Sequence, residues 1–142
     1  MQITVVRYAR ASEPIQFIRR TVFQDEQGVA PALEFDGLDD AAEHLLAYLD
    51  GRAVGTARWR GLEAGIAKIE RLAVLADARG SGLGKRLMQT AIARVTASGF
   101  RTAVIHAQVY VEPLYTQLGF EAVGDRFDEA GIPHVKMHKP LR

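Results

Sequence analysis

Between residues 66 and 108 the chain reads as an apolar strand, a glycine-rich loop, an amphipathic helix and a second apolar strand. Ile69, Leu72, Val74 and Leu75 supply the apolar faces of the first strand, residues 66–75, and residues 102–108 read as a buried second one. Between them Leu83, Leu87, Ala91, Ile92 and Val95 recur at helical spacing, and Gly99 stands where a helix can end on a left-handed residue. Strands joined through a helical crossover run parallel. The rest of the sequence asks for antiparallel pairs. Asp50-Gly51 lies between two strand-like runs, residues 44–49 and 53–60, which is a strong hairpin signal. A weaker turn falls at residues 61–65, and residues 120–124 and 134–138 read as two final strands joined through turn residues 128–133. Residues 2–7 form a first strand. Ser12 is expected to cap a helix with Pro14 in its first turn and Ile15, Ile18 and Val22 on its apolar face. Gly28 and Pro31 end that helix, and the acidic run to Asp40 reads as loop or short helix. Residues 112–118 form a short helix with Pro113 near its start and Gly119 at its end. The expected fold is α/β (α+β): one domain over residues 1–142, a mixed, mostly antiparallel sheet with one central parallel strand pair, and helices on both faces.

A chain of 142 residues, 48% hydrophobic and 25% charged, has the size of one domain and enough apolar surface to fold. Its longest apolar runs, residues 45–49 and 72–76, fall far short of the ~20 residues a membrane-spanning helix needs. No basic segment precedes an apolar one at the start, so no signal peptide is expected. The absence of cysteine excludes a disulfide scaffold, Cys-ligated zinc, iron–sulfur clusters and a thiol nucleophile. A cytoplasmic location is expected. A net charge of +1 gives no reason to expect nucleic acid as a partner. The charge is nonetheless uneven: residues 21–51 hold eight acids and no Lys or Arg, and residues 52–101 hold ten bases against three acids. Either these runs are solvated faces, or one side of the fold holds an anion and the other attracts a cation.

Arg79-Gly80-Ser81-Gly82-Leu83-Gly84-Lys85 follows a strand and opens a helix. The first N–H groups of a helix lack intrahelical partners and carry about half a positive charge. Glycine lets a phosphate approach them closely. Lys85 and Arg86 occupy a first turn, where the helix dipole disfavours cations, and a bound polyanion would remove that conflict. The familiar loops do not fit. A Walker A loop ending at Gly84-Lys85 would need glycine at Arg79 and a hydroxyl residue at Arg86. A dinucleotide fingerprint starting at Gly80 and Gly82 would need glycine at Lys85, and a nucleophile elbow at Ser81 would need it at Arg79. A flexible turn without a ligand is the remaining alternative.

Val74 followed by this loop resembles the acetyl-CoA-binding motif of the GNAT superfamily of N-acetyltransferases, Arg/Gln-x-x-Gly-x-Gly/Ala. The likeness extends over essentially the whole chain. Glu70-Arg71-Leu72-Ala73-Val74 precedes the loop at the family's spacing, and Leu114-Tyr115 through Leu118-Gly119-Phe120 resembles its Tyr-x-x-x-Gly-Phe segment. His106-Ala107-Gln108, Val22-Phe23 with Glu26-Gln27-Gly28-Val29, and Ala130-Gly131-Ile132-Pro133-His134 are similar to a small bacterial YjcF-like branch. The resemblance implies direct transfer of an acetyl group from acetyl-CoA to the primary amine of a small molecule, without a covalent enzyme intermediate. It implies that backbone amides of Arg79, Gly80, Ser81, Gly82, Leu83, Gly84 and Lys85 hold the pyrophosphate. Leu72, Ala73 and Val74 would pair with the pantetheine arm and polarise the thioester carbonyl. Tyr115 is the candidate acid for the departing sulfur, or else an aromatic anchor. Glu70 is the candidate general base, acting through water, or else an ion-pair partner of Arg71, Arg58 or Arg60. The family builds its acceptor site from the region of the acidic segment. Glu26, Glu34, Asp36 and Asp39 are therefore candidates to attract a cationic amine, with solvated loop acids as the alternative. Relatives of this kind imply a homodimer.

His134 and His138 share a strand face without a carboxylate–histidine constellation, so no metal site is expected. His106 reads as a satisfied core histidine, with a catalytic role as the alternative; His44 reads as the start of a strand, and Trp59 as a half-buried strand aromatic or else part of the acceptor site's lining. Two alternatives stand beside the small-molecule reading: a protein or peptide acceptor, and a CoA-sensing module without catalysis. The second predicts loss of the acid–base pair, yet Tyr115 and Glu70 are both present.

Overall fold

The strands are β1 (Gln2–Val6), β2 (Glu43–Leu49), β3 (Arg52–Gly61), β4 (Ile66–Val74), β5 (Thr102–Gln108), β6 (Glu121–Glu129) and β7 (Ile132–Pro140) in a computed structural model that describes residues 1–63 and 65–141. They form one sheet in the order β1-β2-β3-β4-β5-β7-β6. Every pairing is antiparallel except β4 with β5. Asp50 and Gly51, both at positive φ (50° and 78°), turn β2 into β3 as a two-residue hairpin requires. Ala130 and Gly131 (φ 53° and 76°) do the same between β6 and β7. That last hairpin is longer and its turn tighter than the sequence suggests. β6 is almost wholly exposed, so Asp125, Arg126, Asp128 and Glu129 give no apolar alternation to read, and a register shift between Val123 and Phe127 interrupts its pairing. In the turn between β3 and β4, Ala64 lies outside the described residues, and Gly65 has φ +80°.

The helices are α1 (Tyr8–Arg19), α2 (Pro31–Glu34), α3 (Leu83–Ala97) and α4 (Glu112–Gln117), and a π-helical segment, Arg20–Glu26, continues α1. The first helix begins at Tyr8 rather than at Ser12. Ala11 breaks it with non-helical angles (φ −128°, ψ 20°), which leaves Pro14 in the first turn after the break, where its missing N–H costs nothing. Successive β3 residues face opposite sides of the sheet. Arg58 points to the α1 side, where it shares Asp39 with Arg19, while Gly55 and Trp59 face α3 and Phe100. Ile15 and Ile18 on one side, and Leu83, Leu87, Met88, Ala91 and Val95 on the other, are buried against the sheet.

The parallel pair holds the irregularity that shapes the site. β4 and β5 are in register only at Ile66↔Thr102, Ala67↔Ala103 and Lys68↔Val104, and beyond that they part. Across β3, the register jumps from Arg58↔Glu70 to Thr56↔Ala73, so Arg71 and Leu72 together oppose Ala57. Arg71 sits at φ +56°, a left-handed conformation that costs a β-region side chain about 1 kcal/mol or more. Its guanidinium donates to Glu34 O (3.2 Å), Leu33 O (3.3 Å) and Asp36 Oδ2 (3.3 Å), which holds the bulge in place.

Candidate active site

A groove of about 950 Å³ runs between the parted ends of β4 and β5 to the start of α3. Gly80 and Gly82 adopt positive φ (84° and 79°), and Gly82 is the N-cap of α3. The first bond of the helix runs from Arg86 N–H to Gly82 O (3.1 Å), so the amides of Leu83, Gly84 and Lys85 have no partner within the helix. Gly84 has an ordinary φ, and among the described residues a Cβ there would meet no atom within 4 Å beyond its chain neighbours and the helix's own backbone. Nothing in the chain's own packing requires glycine at that position. Arg79 turns away from the loop: its guanidinium donates to Val74 O (2.9 Å) and to Glu26, tying the loop to the end of β4. Ser81 Oγ donates to Ala78 O (2.9 Å) and so is turned back onto the preceding helical turn.

Leu72, Ala73, Val74, the loop residues Arg79, Gly80, Gly82, Leu83, Gly84 and Lys85, and Tyr115 line this groove, whereas Ser81 does not. Tyr115 comes from α4 and meets Phe120 edge-to-face, with ring centroids 6.2 Å apart. Burial pushes its phenol up to about 12, with the neighbouring Tyr110 adding to the shift. The hydroxyl therefore keeps its proton at neutral pH, as an acid must.

Glu70 reaches the groove from β4 and is also the centre of a charge cluster. Its carboxylate accepts from Arg58 Nη2 (2.6 Å), Arg58 Nε (3.0 Å) and Arg60 Nε (2.7 Å), and Lys68 Nζ lies 3.5 Å away. Burial alone would raise its pKa. The Arg58 and Lys68 charges and the Arg60 hydrogen bond outweigh burial and hold the carboxyl below its usual range. Of the acidic-segment residues, Glu26, Glu34 and Asp36 line the groove. Each is engaged: Glu26 by Arg79, Glu34 by Arg19 and Arg71, and Asp36 by Arg58 and Arg71. Asp39, 7% exposed, is held by Arg19 and Arg58 and is not among the groove-lining residues. Hydrogen bonds from Arg58 hold Asp36 well below the carboxylate range. Arg19 and Arg58, both fully buried, bind the loop after α2 to α1 and β3.

One cluster in the groove escapes sequence reasoning. His106 on β5, Glu129 at the end of β6 and His134 on β7 all line it, and His106 Nδ1 lies 2.9 Å from Glu129 Oε1. The carboxylate sits between two histidines that are distant in sequence, and only the long last hairpin brings it there. The hidden signal was Ala130-Gly131, a tight turn that sets Glu129 opposite Ile132.

Among the described residues no helix is long and apolar enough to cross a membrane. Residues 16–141 match the family model described as an acetyltransferase (GNAT) domain. Over 127 residues the chain is 36% identical to the uncharacterised N-acetyltransferase YjcF of Bacillus subtilis, across 87% of this chain and 88% of that protein. An acyl-CoA N-acyltransferase from Pseudomonas aeruginosa superposes with a TM-score of 0.84 at 29% identity, across 98% of this chain and 99% of that one. A GNAT family acetyltransferase from Elizabethkingia anophelis, solved with acetyl-CoA bound, shares the fold with a TM-score of 0.76 at 16% identity, across 98% of each chain.

Proposed function

The chain belongs to the GNAT acetyltransferase family, and from that premise we propose that it carries an acetyl group from acetyl-CoA directly to a primary amine of a small molecule. The observation that supports this most is the convergence of three things on one groove: partnerless amides at the start of α3, the parted strands β4 and β5, and the protonated Tyr115. The amides from Gly80 to Lys85, in the loop that Arg79 and Ser81 brace, receive the diphosphate of the coenzyme. The unpaired edge of β4 at Leu72, Ala73 and Val74 receives the pantetheine amides and aims the thioester carbonyl. The amine nitrogen attacks that carbonyl, and a C–N bond forms as the C–S bond breaks. Tyr115 gives its proton to the sulfur. Glu70, ionised at every working pH, accepts the proton that leaves the new amide nitrogen through a water and returns it to Tyr115.

Glu26, Glu34 and Asp36 form the acceptor side of the groove with Asp39 behind them, and they draw in an amine that carries positive charge. Because arginines share their charge, the acceptor KM rises with ionic strength but not steeply. Thiol release from acetyl-CoA across a panel of primary amines tests the activity, and calorimetry with acetyl-CoA tests the loop. Absence of binding removes the reading altogether. Binding without amine-dependent thiol release leaves a CoA-sensing module instead. A cytoplasmic location and a homodimeric assembly belong to the same proposal, and fractionation and sedimentation test them.

A further inference from the structure

The amine that attacks must be neutral, yet an alkylamine in water near pH 7 is almost wholly an ammonium ion. Two protons leave that nitrogen in the reaction. Tyr115 and Glu70 account for one, which ends on the sulfur. The other has to leave before attack, and a carboxylate held as acidic as Glu70 is poorly matched to take it.

We infer that His106, held by Glu129, is the catalytic residue that takes the first proton from the acceptor's ammonium group. The inference rests on the proposed amine acetylation and assigns that reaction a residue. His106 is in phase with Glu70. The parallel register matches Lys68 with Val104, and two residues further along each strand stand Glu70 and His106, on one face at the point where the strands part. The Nδ1 of His106 lies 2.9 Å from Glu129 Oε1, so the carboxylate fixes the tautomer with hydrogen on Nδ1 and leaves Nε2 as the basic atom. Phe127 packs edge-on against the same ring at 5.2 Å and limits its rotation. On the far side of the carboxylate His134 Nε2 lies 3.7 Å from Glu129 Oε2, and its ring is held in place by Nδ1–H donating to Ile132 O (2.6 Å). His106 holds Glu129 below the usual carboxylate range, so the partner stays anionic while the histidine cycles.

The charged and titratable groups around His106 come from three other strands. β6 contributes Glu129 and β7 contributes His134 and, opposite in register, Lys136. β4 contributes Lys68 and Glu70. On β5 itself the neighbour is Gln108, which bonds Gln27 (3.0 Å). The step balances as follows. The N–H bond of the ammonium breaks and an Nε2–H bond forms, with Glu129 stabilising the imidazolium. The freed lone pair attacks the thioester, and the imidazolium returns its proton to water, the one proton the net reaction releases.

The test is the pH dependence of kcat/KM for His106→Gln, with benzylamine or whichever aliphatic amine the panel returns. At pH 7 the variant falls by about 100-fold or more. Its log kcat/KM then climbs with unit slope toward the pKa of the amine, because only pre-formed free base reacts, and the gap to wild type closes. Glu129→Gln, an exposed change at the end of an edge strand, moves the profile in the same direction by less. Acetyl-CoA affinity and melting temperature stay near wild type in both. A loss that is equal at every pH marks a structural role and overturns the inference, as does a His106→Gln enzyme equal to wild type. A wild-type chain that binds acetyl-CoA but acetylates no primary amine overturns the acceptor reading and this inference together.

Discussion

Replacing Gly84 with alanine separates what the loop needs for folding from what it needs for a ligand. The position lies in the first turn of α3 with ordinary angles and open space where a methyl group would go, so alanine removes unfolded-chain entropy at no steric cost. The ligand-free protein is expected to gain about 0.5–1 kcal/mol, seen as a higher melting temperature, while acetyl-CoA binding weakens in calorimetry. Tyr115→Phe tests the other end of the groove: kcat drops by about 100-fold or more with the Kd for acetyl-CoA unchanged. Because the phenol is protonated below about 12, its ionisation imposes no loss of rate between pH 7 and 10. An unchanged kcat in the phenylalanine variant would remove the acid assignment. Residues such as Gly80 and Gly82 were legible in the sequence because their backbone angles belong almost uniquely to glycine. The pairing of His106 with Glu129 was not, because the two stand 23 positions apart in sequence and two strands apart in the sheet.

At the level of elements, the crossover from β4 through α3 to β5 and the Asp50-Gly51 hairpin follow from short-range patterns, and both form as read. The bulge at Arg71 was not legible. It is stabilised by the carbonyls of Leu33 and Glu34 and by Asp36, so it depends on α2 and the loop after it packing onto β4. The same loop rests on Arg58, whose guanidinium bonds Asp36, Asp39 and Glu70 with no solvent exposure of its side chain. Arg58→Leu would leave three carboxylates without their shared cation, and breaking a buried pair from one side costs about 3–5 kcal/mol. Urea denaturation should show that loss. Asp39→Asn, which keeps Arg58 and its other two partners, should lose distinctly less.

For the whole molecule, the two oppositely charged stretches of the sequence turn out to be partners. Acids from residues 21–51 meet bases from residues 52–101 in the pairs Glu26–Arg79, Glu34–Arg71, Asp36–Arg58, Asp39–Arg58 and Glu43–Arg94. A lopsided charge run therefore reported long-range pairing between the two stretches. These pairings set the acid response of the fold. His44, fully buried and depressed mainly by desolvation, contributes stability above its unfolded value of 6.5, and that contribution fades as pH falls below it. Asp36, Asp39, Glu43 and Glu70 are depressed too, so their contribution is complete above about pH 4–4.5 and is lost below it. Urea midpoints should be level from pH 7 to 8, slope gently down from about pH 6.5, and fall sharply below about pH 4. A midpoint that stays flat to pH 4 would mean that His44 is protonated in the folded state at little cost. The three-pair seam between β4 and β5 has one more consequence. Past Lys68 and Val104 the two strands no longer pair with each other, and their peptide groups face a gap. A molecule that fills it acts as a removable eighth strand, and amides lining the gap should exchange with deuterium quickly when alone and slowly when acetyl-CoA is added.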